Sequence, residues 1–516
     1  MNNIPHKGKV YLVGAGPGDP NLITLRGKFL LERAEVVVYD YLANKKLLQH
    51  VPAAAELVYV GKKGGGLHAA SQEEINQLLV DYGLAGKRVV RLKGGDPFIF
   101  GRGGEEIEEL VKAGIDFEVV PGVTSATAAA TYAGIPITHR NCTASVAFVT
   151  GHEAAGKEQS DVAWDKLATG AGTLVIYMGI KNLPNISKKL IDNGRSPDTP
   201  VAVVRWASTP QQRSVVGTLA TISEVVQAAK IAPPALIIVG EVVKLRESID
   251  WFEHRPLFGR RIIVTRTREQ ASELVSRLEE YGAECLEYPT IHIEPVEDFS
   301  VLDQALAELG SYDWILLTSL NAVSYFFKRL HEKGLDSRAL AGCKIGVVGA
   351  ATADELARHG IRADLIPAKF TGEGLALALI EAGGVQGKRF LLPRALKAAE
   401  TLPELLEQAG AGVTIAPVYQ NVPPQGRKDE LRAELGSGTV DLITFTSSST
   451  VTNFLAMLDV KDADELRALL GRTQIAAIGP VTAETAREHG LTVTVQPERH
   501  TIAALAEAVV AHCRRS

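Results

Sequence analysis

The chain has 516 residues, 46% of them apolar and 22% charged, with a formal net charge of −5. That length holds more than one domain core, and the mild acidity excludes a general nucleic-acid binder, so any anionic ligand must meet local basic clusters. Cys142, Cys285, Cys343 and Cys513 stand at no metal or redox spacing, no apolar run is long enough to cross a bilayer, and a glycine loop begins as early as Gly14. The expectation is a cytosolic protein with neither metal nor signal peptide.

In chain order, Lys9 to Val13 reads as a short buried strand opening into Gly14-Ala-Gly-Pro-Gly-Asp-Pro20. Thr24 to Ala34 has a helical pattern, and Glu35 to Tyr39 a strand pattern that ends at Asp40. An acid after a glycine loop suggests a dinucleotide fingerprint, but the spacing is G-x-G-x-G and Pro17 removes a donor that would cradle a pyrophosphate. A nicotinamide or flavin site is therefore not expected. Val58 to Val60 forms another strand running into glycines, and Ser71-Gln-Glu-Glu74 is a capping box for a helix to Tyr82.

The densest stretch is Arg91 to Glu106, with five glycines, Asp96 and two aromatics in sixteen residues. Val89 and Val90 lead in as a buried strand end. Gly94 and Gly95 allow a bare, sharply turned backbone, and Asp96-Pro97 fixes the exit. From Gly103 a helix is expected, with Glu105 and Glu106 in its first turn and Ile107, Leu110 and Val111 on one face. Strand, glycine loop and helix in succession make a ligand-binding turn of an open α/β sheet.

Phe117 to Val120 is a strand, and a helix of small residues runs from Ala126 to Ala133. Strands alternating with helices imply a mostly parallel sheet. From about residue 122 a second α/β subdomain follows, with strands at Ser145–Thr150, Thr173–Met178, Val201–Trp206 and Leu236–Val239. Residues 246–258, charged and without a clear strand, read as a linker. A cut near Glu253 is accordingly expected to release two active fragments.

The remainder is an internal duplication. Gly259-Arg-Arg repeats as Gly387-Lys-Arg, and Asp313 to Ser319 repeats as Asp441 to Ser447, each 128 residues on. Ile345 to Ala353 repeats as Ile475 to Ala483. The unit is too long for a solenoid, so two similar α/β lobes with a ligand cleft are the expectation. Hydroxyls recur at strand ends, Thr318, Ser319 and Thr352 in one copy and Thr446, Ser447 and Thr482 in the other, with Arg266 and Arg394 equivalent. Such hydroxyls cap helices, and a capped helix N-terminus also receives carboxylates.

Residues 8–243 resemble uroporphyrinogen-III C-methyltransferase, a tetrapyrrole methylase. The resemblance lies in Gly14 to Pro20, Val37 to Asp40, Gly61 to Lys63, Arg91 to Glu106, Pro121 to Arg140, Val149 to His152, Thr173 to Gly179 and Pro234 to Val243. The second half resembles uroporphyrinogen-III synthase, through the duplication, Val418 to Gln420 and Ile478 to Pro480. The resemblance implies a two-subdomain tetrapyrrole methylase fold over 1–245, then a duplicated bilobal α/β synthase fold over 259–516.

For the methylase half it implies S-adenosylmethionine against Pro17, Gly94, Gly95, Asp96, Ile99, Thr124, Ser125, Met178 and Ala207. Asp40 is implied as the base that removes the pyrrole proton, and Lys62 as proton donor or carboxylate partner. Uroporphyrinogen has eight carboxylates, and Lys63, Arg91, Lys93, Arg102, His139 and Arg140 are candidates to pair with them. For the synthase half it implies hydroxymethylbilane as substrate, no cofactor, and Tyr419 assisting loss of the hydroxyl. Tyr419 is expected where the chain crosses between lobes. The implied activities are consecutive: closure and isomerisation to uroporphyrinogen III, then two methylations to precorrin-2 on the sirohaem or cobalamin route. Dehydrogenation and iron insertion are expected on another chain, and a homodimer through the methylase half. Two alternatives stand beside this reading: a second half that senses tetrapyrrole without converting it, and a first half that methylates a later corrin.

Overall fold

A computed structural model describes residues 8–61, 70–152, 162–265, 268–290, 292–422 and 426–514, except the side chains of 268–272. It is α/β throughout, built on four five-stranded sheets. Two compact units divide the chain. One runs to Ile262 and takes in Ser276–Cys285 and the residues from Val509; the other is Ile263–Val275 with Leu286–Ala508.

The first sheet holds β1 (Lys9–Gly14), β2 (Val36–Tyr39), β3 (Glu56–Tyr59), β4 (Arg88–Lys93) and β5 (Asp116–Val120), in the order β3-β2-β4-β1-β5. Every pairing is parallel. The central strands are rich in consecutive valine and leucine because helices cover both faces, leaving no solvent side to alternate with, although β4 also carries Arg91 and Lys93. Val10, Leu12, Val37, Val38, Val89 and Val90 are all buried. The capping box at Ser71 and Glu74 is formed, opening the helix Gln72–Leu84.

The second sheet holds β6 (Val146–Thr150), β7 (Thr173–Tyr177), β8 (Pro200–Arg205), β9 (Arg213–Thr218) and β10 (Ala235–Val239), in the order β6-β7-β10-β8-β9. Only β6 and β7 pair in parallel; the other pairs are antiparallel. The edge strand β9 is absent from the sequence reading.

Residues 246–258 contain no strand, as expected, but they are not a free linker. Trp251 donates from Nε1 to the Thr131 carbonyl at 3.0 Å, and its ring and that of Phe252 pack on Tyr132. Glu253 accepts from Gln212, Ser214 and Arg246 at 2.6–2.8 Å. Phe252 and Leu257 are buried. The segment is part of the first half's packing, because its large apolar residues find a hydrophobic wall and its acid finds three donors.

The duplicated half carries the expected two lobes, but neither lobe is one copy of the repeat. One sheet holds β11 (Arg261–Val264), β12 (Glu284–Glu287), β18 (Leu442–Phe445), β19 (Gln474–Ala477) and β20 (Val493–Val495), in the order β12-β11-β18-β19-β20. The other holds β13 (His292–Pro295), β14 (Trp314–Leu317), β15 (Lys344–Val347), β16 (Arg389–Ala395) and β17 (Gly412–Val422), in the order β13-β17-β16-β14-β15. The repeat equates β11 with β16, β14 with β18 and β15 with β19. Each sheet therefore joins the first strand of one copy to later strands of the other. An exchange of equivalent elements keeps the same contacts while tying the lobes together.

Candidate functional site

The C-terminal ends of β1, β4 and β5 meet backbone to backbone. Gly95 donates to the Gly16 carbonyl at 2.7 Å and accepts from the Gly16 N–H at 3.3 Å. A Cβ on Gly14 would lie 2.6 Å from Gly122, and one on Gly122 would lie 2.3 Å from the Gly95 carbonyl. Three chains can approach so closely only where none carries a side chain. Gly95 itself has φ +70°.

Beside this junction lies a cavity of about 660 Å³, walled by residues of both subdomains of the first half. Of the sequence-predicted residues, Pro17, Asp40, Gly94, Gly95, Ile99, Ser125, Met178 and Ala207 stand on its wall, as do the candidate carboxylate partners Arg91, Lys93 and Arg102. Asp96 and Thr124 stand behind it. Asp96 accepts from the Phe98 N–H at 2.8 Å and the Gly122 N–H at 3.0 Å, so its carboxylate shapes the loop. The Thr124 hydroxyl is 2.6 Å from that of Tyr177, which itself lines the cavity. Lys62 and Lys63 fall outside the described residues.

Four wall residues that are not glycine hold left-handed backbone: Phe100 (φ 51°), Arg102 (φ 57°), Met178 (φ 54°) and Trp206 (φ 50°). Such conformations cost of order 1–3 kcal/mol each and gather at ligand sites, where the surroundings hold them. Met178 lies just beyond β7, 53% exposed and facing the cavity, so it is no core residue. The sequence reading missed Phe100, Tyr177 and Trp206 as wall residues. Each stands at a strand end or in a glycine loop, and that position was the available signal.

A buried charge cluster underlies one wall. Asp40 follows β2; its carboxylate accepts from the Leu42 N–H at 3.0 Å and from Arg91 Nη2 at 3.1 Å. Arg91, on β4, also donates to Glu106 from Nε and to the Val38 and Leu92 carbonyls from Nη1. Lys93, two residues on, donates to Glu106 Oε1 at 2.6 Å. Glu106 is wholly buried, on the same helix face as Leu110, whereas Val111, expected there, is 59% exposed. The helix Gly103–Lys112 thus turns an acid inward because two cations on β4 await it. Burial and Arg91 push the Lys93 ammonium below its usual range, against the opposing pull of Glu106. Arg102 makes an exposed pair with Glu105, and Arg140 is exposed away from the cavity wall. His139 is absent from that wall too.

In the duplicated half, Ser319 caps the helix Leu320–Glu332 by accepting from the Ala322 N–H at 3.0 Å. Its hydroxyl lies 3.2 Å from that of Tyr419, so the structure joins two predicted residues from distant stretches. Tyr419 is buried within β17, three residues before its last, Val422; residues 423–425 fall outside the described residues. Ser447 caps the equivalent helix, Ser448–Leu458. Thr352 and Thr482 are buried near the starts of their helices. Thr318 and Thr446 are half-buried at the ends of β14 and β18. Arg394 is turned to its own loop, donating to the Ala399 carbonyl and Glu400. Arg266 falls outside the described residues.

Among known proteins, the family described as tetrapyrrole (corrin/porphyrin) methylases matches residues 9–223, and the family described as uroporphyrinogen-III synthase HemD matches residues 272–507. The porphyrin biosynthesis protein HemD of Ruminiclostridium josui is 41% identical over 495 residues, 96% of this chain and 96% of that protein. The S-adenosyl-L-methionine-dependent uroporphyrinogen III methyltransferase of Methanosarcina barkeri is 52% identical over 240 residues, 46% of this chain and 94% of its own. A crystal structure of uroporphyrin-III C-methyl transferase from Thermus thermophilus, complexed with S-adenyl homocysteine, is 44% identical. It covers 46% of this chain and all of its own, with a TM-score of 0.40.

Proposed function

The chain belongs to the proteins that join a tetrapyrrole methylase to a uroporphyrinogen-III synthase, and on that premise we propose that the halves act in succession. The second half closes and isomerises hydroxymethylbilane to uroporphyrinogen III. The first methylates that product twice, to precorrin-2. The names of the relatives favour the early methylase over one acting on later corrins, and the synthase match favours catalysis over sensing. A cytosolic homodimer, joined through the methylase half, is part of the proposal. No helix among the described residues is long and apolar enough to cross a membrane.

One observation carries the reading of the first half: Asp40 stands on the wall of a cavity whose lining includes bare glycine backbone and residues held in left-handed backbone. The residues present fit S-adenosylmethionine. Gly94 and Gly95 offer backbone with no side chain, while Ile99 and Met178 offer apolar surface. When bound, the group supplies an electrophilic methyl. The chain's own task is to hold the acceptor's pyrrole carbon in line and to remove the proton that the methylated macrocycle, whose ring carbons carry none, must lose elsewhere to regain neutrality. Asp40 suits that task, because Leu42 and Arg91 fix its orientation while a quarter of its side chain stays exposed.

In the second half, the phenol of Tyr419 beside the cap hydroxyl of Ser319 is proposed to assist the leaving hydroxyl of the bilane. The test of the first half is Asp40→Asn, which keeps shape and removes the base. Methylation should fall about 10²–10⁴-fold, with S-adenosylhomocysteine binding held within a few fold by calorimetry. Near-normal turnover would remove Asp40 from the reaction.

A further inference from the structure

Six basic residues of the first half were candidates for holding carboxylates, and the structure separates most of them by how they spend their donors. Arg91 is buried, and its Nε, Nη1 and Nη2 all donate to protein atoms. Arg102 is 53% exposed in its side chain and makes a two-pronged pair with Glu105. Lys93 differs from both. Its side chain is only 5% exposed, it stands on the cavity wall, and its one hydrogen bond among the described residues goes to Glu106.

An ammonium has three donors. Two of those on Lys93 therefore lack a partner among the described residues, and Lys93 stands on the cavity wall. Buried donors are as a rule satisfied, and a desolvated cation beside a cavity attracts an anion more strongly than a hydrated one. Lys181, also on the wall, is exposed and stays hydrated. Glu106 completes the device. Its Oε1 receives Lys93, Arg91 and Gln72, so the ammonium is fixed in place.

We propose that Lys93 anchors a carboxylate of a bound ligand through the donors it does not spend on Glu106. The inference rests on the methylase reading above, in which two ligands bring carboxylates: the tetrapyrrole acceptor and the methionine end of S-adenosylmethionine. The rival account is internal, with Lys93 present only to neutralise Glu106.

The full-length protein separates the two accounts. Lys93→Met alone leaves Glu106 short of a partner and can unfold the site, so the paired variant Lys93→Met/Glu106→Gln is made beside it. That pair leaves Arg91 and Asp40 as a balanced couple. Melting temperature, the KM for uroporphyrinogen III and the calorimetric Kd for S-adenosylhomocysteine are measured for each. The paired variant should fold and lose about 10–100-fold toward one ligand, the strength of a charge-assisted hydrogen bond, with kcat changed less. Whether the loss falls on the tetrapyrrole KM or on the S-adenosylhomocysteine Kd identifies which carboxylate is held. Lys93→Arg, which keeps a cation, should recover part of it. If the paired variant binds both ligands as the wild type does, Lys93 is an internal counter-charge and the proposal falls. If the wild type itself fails to methylate uroporphyrinogen III, the functional reading falls, while the S-adenosylhomocysteine arm still judges Lys93.

Discussion

Gly95 shows how one residue serves both fold and site. Its φ of +70° and its two backbone bonds to Gly16 put the β4 loop on the cavity wall. An added Cβ would meet nothing closer than the Ser125 nitrogen at 3.6 Å, so alanine does not clash with protein. It pays only for left-handed backbone, about 1–2 kcal/mol, and its methyl stands where a ligand would touch bare backbone. Gly95→Ala should therefore lower the melting temperature slightly and weaken S-adenosylhomocysteine binding more. A large melting loss with unchanged affinity would make Gly95 a turn residue only. Gly94 is tighter: its Cβ would fall 2.5 Å from that of Leu42, so the same change there should cost folding first.

At the scale of elements, β17 and the helix Leu320–Glu332 bring Tyr419 to Ser319, while the Tyr325 ring stacks on that of Tyr419 at 5.8 Å. Tyr419→Phe removes the hydroxyl and keeps this packing, so stability should move by about 1 kcal/mol or less. Bilane closure should slow substantially, with the symmetric type I isomer accumulating from substrate that closes unaided in water. Type III product formed at the wild-type rate would make Tyr419 a packed core residue. Neither partner's meeting was legible in the sequence, since they lie 100 positions apart. What was legible is local. The Ser71 capping box, the β4 strand and the glycine loops follow from spacing within a few residues. Glu106 does stand in the first turn, as expected, but its partners Arg91 and Lys93 sit on a strand, and no periodicity within one helix reports that. Edge strand β9 escaped for the opposite reason: Arg213 to Thr218 is only half covered, so its pattern is weak.

For the whole molecule, the duplication was visible as a nearly constant offset of 128 to 130 residues, yet the exchange of strands between lobes was not, because long-range pairing leaves no mark in either copy. The boundary between the halves shows the same limit. A charged stretch without a strand reads as a spacer, but the aromatic pair at Trp251 and Phe252 and the bonds from Gln212 and Ser214 to Glu253 tie it to the first half. Cutting at Glu253 would break that cluster in two. We propose Gly259, a left-handed glycine that no Cβ contact constrains, as the end of the methylase half. A fragment ending at Phe258 keeps the cluster; one ending at Leu245 loses it. Truncating one buried phenylalanine costs about 3–5 kcal/mol, and a domain of this size shifts by about 2–4 °C per kcal/mol. The shorter fragment should therefore melt roughly 10 °C or more below the longer, and also lose the bonds that Gln212 and Ser214 make to Glu253. Both keep the cavity residues, so the longer fragment should methylate at a rate near that of the full chain. Equal melting temperatures would restore residues 246–258 to the role of a spacer.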